Sequence, residues 1–200
     1  MPQQPAFQSS DRMHAEPALQ ERFLLHVCCA PCSIAVIDDL RVQYDLRVLF
    51  YNPNIHPEEE YLKRKKEVIR ICEEWQVPML DYDYDPSAWD EQVRGLEDEP
   101  EGGLRCAACI TMRLLRTAEI AKEQGVRLFG TTLTMGRNKR AVMITPIGEA
   151  AAREHDIRYY AEDWKKKGRE TKARAMVKER GIYRQAYCGC RYSLRNQREE

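Results

Sequence analysis

The chain has 200 residues and a mass of 23.4 kDa, with 32 basic and 32 acidic side chains, a formal net charge of zero and eight cysteines. A chain of this length suits one domain that buries roughly 70% of its unfolded surface without disulfide staples, and 43% hydrophobic residues exclude a disordered chain. No apolar run reaches the roughly 20 residues of a membrane span, and polar residues 1–22 lack the apolar core of a secretory signal, so a cytoplasmic protein with reduced thiols and no membrane contact is expected.

Residues 1–20 show no periodicity and read as a flexible tail before a single domain over 21–195. The apolar run 22–28 is expected as a buried first strand, and Pro31 suits the first turn of a helix reaching about Gln43. Residues 46–51 read as a second strand, stopped by Asn52-Pro53-Asn54. Over 57–75, Tyr61, Leu62, Val68, Ile69, Cys72 and Trp75 recur at helical spacing. A third strand is expected at 78–84, a short helix at 86–94 and a Glu/Gly-rich loop at 97–104. The helix predicted over 106–124 carries Ile110, Leu114, Ala118 and Ala121 on one stripe and ends at Gly125. Residues 127–132 resemble a fourth strand, roughly 138–154 a helix, 157–161 a fifth strand and 164–180 a basic helix before a compact cysteine-containing tail. Strands alternating with helices predict an α/β fold, a single-domain Rossmann-like open parallel sheet. Ligand sites in such sheets lie beyond the carboxyl ends of the strands, where the first cysteines fall.

Three groups hold seven of the cysteines: Cys28-Cys29-Ala-Pro-Cys32 after the first strand, Cys106-Ala-Ala-Cys109 opening a helix, and Cys188-Gly-Cys190 near the carboxyl end. Cys72 stands apart, on the apolar stripe of its helix, and reads as a core thiol. A C-x-x-C step at a helix start points two thiolates at one centre and stabilises their charge with unpaired N–H groups. Two such groups at one sheet edge argue for a metal site, of either zinc or iron–sulfur type. Adjacent Cys28 and Cys29 suit a single tetrahedral ion poorly. A disulfide across Cys-Gly-Cys would be strained and easily reduced, which makes the pair a redox couple or, alternatively, two further ligands. His26 reads as either a support for the cysteine site or a core residue. The first strand–helix turn has no Gly-rich phosphate loop.

The zero net charge conceals an asymmetry. Residues 57–101 carry six basic and 15 acidic groups, whereas 164–200 carry 12 basic and four acidic ones. The basic end is either a solvated face or a surface for a polyanion such as RNA. Its candidate phosphate contacts are Lys165, Lys166, Lys167, Arg169, Lys172, Arg174 and Lys178, and Tyr183, Tyr187 and Tyr192 are candidates for stacking on bases.

In order along the chain, His26-Val-Cys28-Cys29-Ala-Pro-Cys32-Ser33, Tyr51-Asn-Pro-Asn54-Ile55, Arg105-Cys106-Ala-Ala-Cys109, Thr131-Thr132-Leu133 and Tyr183-Arg184-Gln185-Ala-Tyr187-Cys188-Gly-Cys190 resemble the cobalamin-independent epoxyqueuosine reductases, the QueH type. The resemblance spans about residues 22–193. It implies a Rossmann-like fold related to adenine-nucleotide hydrolase domains and a [4Fe–4S] cluster without cobalamin. The implied activity is reduction of epoxyqueuosine to queuosine at the wobble position of tRNAs with GUN anticodons. By position, Cys28, Cys29, Cys106 and Cys109 would hold the cluster, and Cys188 and Cys190 would be the redox-active pair. Cys32 falls where members vary and would bind an accessory iron. One departure stands out: in members the segment after Thr-Thr-Leu typically contains a serine before the lysine, and here the stretch is Thr134-Met135-Gly136-Arg137-Asn138-Lys139. Converting an epoxide to an alkene releases one water and consumes two electrons and two protons, drawn from an electron donor that the motifs do not specify. The same cysteines would also suit a zinc-stabilised RNA-binding protein without catalysis, or a thiol–disulfide oxidoreductase acting on proteins.

Overall fold

A computed structural model describes residues 20–82 and 84–195. The expected tail over residues 1–19 and Asp83 of the third strand lie outside the described residues. Five strands, β1 (Arg22–His26), β2 (Asp45–Phe50), β3 (Met79–Asp81), β4 (Leu128–Thr131) and β5 (Arg158–Tyr159), form one all-parallel sheet in the order β3-β2-β1-β4-β5. Parallel neighbours need crossovers, and helices supply them: α1 (Ala30–Leu40), α2 (Glu58–Glu74), α3 (Pro86–Gln92), α4 (Leu104–Glu123), α5 (Ala141–Glu154), α6 (Arg169–Glu179) and α7 (Arg191–Arg195).

The alternation of side chains along each strand divides the core in two. Phe23, Leu25 and Val27 join Leu46, Val48 and Phe50 on one face, under apolar residues of α1, α2 and α6. Leu24, Leu49 and Phe129 point the other way, against Ile110, Leu114 and Ala118 of α4 and Ile144 and Ala151 of α5. With both faces covered, the sheet is doubly wound and its order reverses between β1 and β4. Gly148 lets α5 lie against β5, since a Cβ there would meet the Tyr159 ring at 2.4–2.6 Å.

The predicted elements all occur, with trimmed ends. On α2, Leu62 and Ile69 lie on the exposed side rather than the buried stripe, and their places are taken by Glu60, Arg64 and Ile71. The basic helix expected from 164 begins only at Arg169, because Gly168 takes a left-handed conformation (φ 75°) and residues before it turn around the buried Trp164. The helix expected from 138 begins at Ala141, after a 3₁₀ turn at Leu133–Met135. No helix among the described residues is long and apolar enough to cross a membrane.

Candidate active site

The carboxyl ends of β1 and β4 are locked together by His26, which is fully buried. Its Nε2 donates to the Tyr51 carbonyl (3.1 Å) and its Nδ1 lies 2.8 Å from the Thr131 hydroxyl. That hydroxyl also receives the Leu133 N–H at 3.2 Å, so it donates its own proton to Nδ1. Burial, reinforced by the Arg113 cation, pushes the imidazole down to about 3, so it is neutral at physiological pH. His26 is thus a core residue tying three strands together under the site.

Two residues further on, the chain leaves the sheet and Cys29 caps α1, with Pro31 in the first turn. This places Cys28, Cys29 and Cys32 with their sulfurs all within 4.8 Å of one another. Hydrogen bonding with Cys29 and Cys32 holds Cys28 well below the usual thiol range, and the Arg113 cation acts in the same direction. These partners are affected oppositely: Cys29 is pushed up to about 12 and Cys32 is also raised, each first by its bond to Cys28. Negative charge at this helix start is thus favoured on Cys28 over Cys29 and Cys32. The Gln185 amide reaches in from the carboxyl-terminal segment and donates to Cys29 Sγ at 2.9 Å.

A second group of thiols adjoins the first. Cys106 and Cys109 lie in the first turns of α4, and the Gly102 N–H donates to Cys106 Sγ at 3.2 Å. Cys109 packs with Cys190, Trp89 and Val93, while Cys188 is half-buried and raised by that burial. The ammonium of Lys139 faces Cys188, Cys109 and Cys106. Burial would lower it, yet the three sulfurs outweigh burial and hold it above the ordinary lysine value. Arg113, one turn beyond Cys109, acts electrostatically on both Cys28 and Lys139. It is buried and donates to Asn52 Oδ1, and Asn52 in turn donates to the Val27 carbonyl at 2.9 Å.

The Cys188-Gly-Cys190 segment is held by Arg64 of α2. Its guanidinium donates to the Cys188 carbonyl (2.9 Å), the Tyr187 carbonyl (3.1 Å) and Glu60 Oε1 (2.7 Å). Gly189 passes so close that a Cβ would stand 2.9 Å from Arg64 Nη1, and its φ of 128° excludes most side chains. All eight cysteines are free thiols, and Cys72 is an inert core thiol, pushed up to about 12 by burial.

The sequence-derived residues thus divide. Cys28, Cys29 and Cys32 converge in one cluster, and Cys106, Cys109 and Cys188 act together on the charge of Lys139. The basic residues of the carboxyl-terminal third are largely engaged with the protein. Arg169 and Lys172 pair with Asp39, and in addition with Glu162 and Asp38 respectively. Arg174 pairs with Glu170, Lys166 with Asp163 and Lys167 with Glu162, and Lys165 Nζ donates to the carbonyls of Lys139 and Arg137. Lys178 is exposed on α6. The tyrosines serve the scaffold: Tyr183 donates to Glu60 (2.8 Å), Tyr187 to the His56 carbonyl, and Tyr192 packs on Trp89 and under Arg105.

Sequence reasoning passed over Arg64, Arg113, Lys139 and Gln185. The first two were detectable: Arg64 lies between Tyr61 and Val68, and Arg113 between Ile110 and Leu114, so both occupy buried stripes.

The three-cysteine donor set could hold a metal, and all-sulfur ligation suits either zinc or an iron–sulfur group. Buried Arg113 Nε and Gln185 Oε1, which have no hydrogen-bond partner in the protein, add polar capacity beside it.

Comparison with known proteins finds a matching family. The family model described as Epoxyqueuosine reductase QueH matches residues 23–196. A protein of Acinetobacter baylyi named Epoxyqueuosine reductase QueH is 43% identical over 182 residues, covering 90% of this chain and 84% of that one. Proteins of the same name from Histophilus somni and Thermotoga maritima are 42% and 36% identical, over 90% and 88% of this chain and 75% and 92% of theirs.

Proposed function

This chain belongs to the epoxyqueuosine reductase QueH family and is an oxidoreductase acting on epoxyqueuosine in tRNA, and from that premise we propose how its thiols perform the reduction. The observation that carries the reading is the cluster of Cys28, Cys29 and Cys32 at the point where the sheet order reverses. Cys28, Cys29, Cys106 and Cys109 are assigned to a [4Fe–4S] cluster, and Cys32 to an accessory iron. When bound, the cluster would supply Lewis-acid activation of the epoxide oxygen at an open iron site.

Cys188 and Cys190 are assigned as the redox-active pair. Oxidation of the dithiol to a disulfide releases two electrons and two protons, and the epoxide takes up both pairs to give an alkene and one water. The balance is therefore epoxide plus dithiol to alkene plus disulfide plus water. An external electron donor then restores the dithiol. Gly189 lets the two cysteines turn back on one another, and Arg64 fixes the carbonyls on either side of Cys188's amide. The Lys139 ammonium stabilises negative charge where Cys188 meets Cys106 and Cys109. Arg113 does the same for Cys28.

The wobble base lies in a single-stranded loop, so it enters the site without opening a duplex. The reading is tested by incubating anaerobically purified protein with tRNA containing epoxyqueuosine and a reductant, then analysing the nucleosides. Queuosine should form, with iron and acid-labile sulfide in the protein. A colourless zinc protein that leaves the epoxide intact would favour the RNA-binding alternative.

A further inference from the structure

A base can reach the thiols only if the phosphates flanking it are held at the mouth of the site. The cations best placed for this are not those of α6. Arg169 and Lys172 pair with Asp38 and Asp39, which lie nine and ten residues beyond Cys29 on α1, about 14 Å towards the opposite edge of the sheet. The stretch 97–101 before α4 carries Glu97, Asp98, Glu99 and Glu101 and no cation, so it repels a phosphate backbone.

Two other segments at the mouth differ. The loop 136–140 follows β4 and its 3₁₀ turn directly, and β4 ends in register with His26 beside the first cysteines. Lys165 Nζ braces this loop through the carbonyls of Lys139 (2.8 Å) and Arg137 (3.3 Å). Lys139 turns to the thiols, whereas Arg137 and Arg140 are exposed. From the other segment, Arg184 is exposed next to Gln185, whose amide bonds Cys29. Among the described residues, the guanidinium groups of Arg137, Arg140 and Arg184 make no ion pair or hydrogen bond.

We propose that Arg137, Arg140 and Arg184 form a cationic rim that grips the phosphates of the tRNA anticodon loop, with the braced loop 136–140 as its rigid side. This inference rests on the reading of the chain as a tRNA epoxyqueuosine reductase. Free guanidinium groups release counterions on meeting phosphates, whereas a cation already matched to a carboxylate gains less.

The test compares wild type, the triple variant Arg137→Gln/Arg140→Gln/Arg184→Gln and the α6 variant Arg174→Gln/Lys178→Gln. Each is loaded with iron and titrated with substrate tRNA by fluorescence anisotropy at several salt concentrations. The rim variant should bind about tenfold or more weakly near 0.1 M salt, with its log–log salt slope reduced by roughly 2. The α6 variant should match wild type, and the rim variant should still form queuosine at saturating tRNA. A rim variant that binds as wild type, or an α6 variant that loses the affinity instead, overturns the proposal while wild-type turnover leaves the reductase reading intact. Absence of wild-type turnover would remove both.

Discussion

Arg64 links α2 to the Cys188-Gly-Cys190 segment, and its removal should be among the most costly single changes outside the thiols. Its side chain is 1% exposed and that of Glu60 8%, with 2.7 Å between them. Arg64→Met leaves Glu60 charged and buried, with only the Tyr183 hydroxyl as partner, and strips the Tyr187 and Cys188 carbonyls of their donors. Breaking a buried pair from one side costs about 3–5 kcal/mol. For a chain of this length that lowers the melting temperature by roughly 6–20 °C. Urea unfolding of the metal-free protein measures the loss. Adding Glu60→Gln removes the uncompensated charge but keeps an acceptor for Tyr183, so the double variant should recover a substantial part of the stability. A single variant that loses less than about 1 kcal/mol, or a double variant no more stable than the single, would refute the argument, since a surface-type ion pair behaves that way.

Gly189→Ala should lose about 1–3 kcal/mol and slow turnover, because φ 128° is strained for alanine and the added Cβ meets Arg64 and Ile55; denaturant midpoints and initial rates check this. Cys188→Ser and Cys190→Ser should abolish queuosine formation while retaining iron and sulfide, whereas Cys28→Ser and Cys106→Ser should lose them, as metal analysis will read. Cys72 is 3% exposed and pushed up to about 12, so it should stay thiol and resist alkylation by iodoacetamide in native protein up to pH 9, and react on unfolding; peptide mapping by mass spectrometry distinguishes the cases.

The α/β class was legible because the chain alternates apolar strand runs with amphipathic helices, and the cysteine spacing placed Cys28, Cys29 and Cys32 at a sheet edge. Boundaries at Gly168 and Ala141 were less so, since basic residues of good helix propensity immediately precede both actual starts. Leu62 and Ile69 fit a helical stripe by count, but tertiary packing chose the neighbouring stripe, where Arg64 is neutralised by Glu60 and backbone carbonyls. The role of the basic residues was hidden for a similar reason. Arg169 and Lys172 read as free charge until α6 packs on α1, which brings Asp38 and Asp39 to them across 130 residues or more. Lys139 could not be singled out by pattern, because what distinguishes it is three sulfurs from two distant segments.

The central claim, that the Cys188–Cys190 dithiol delivers the electron pair, is tested most directly by a single turnover. Fully reduced protein, freed of external reductant, is mixed with excess epoxyqueuosine tRNA, and queuosine and the Cys188–Cys190 disulfide are quantified in parallel. One queuosine and one disulfide should appear per protein, at the same rate. Queuosine formed with both thiols still free would contradict it.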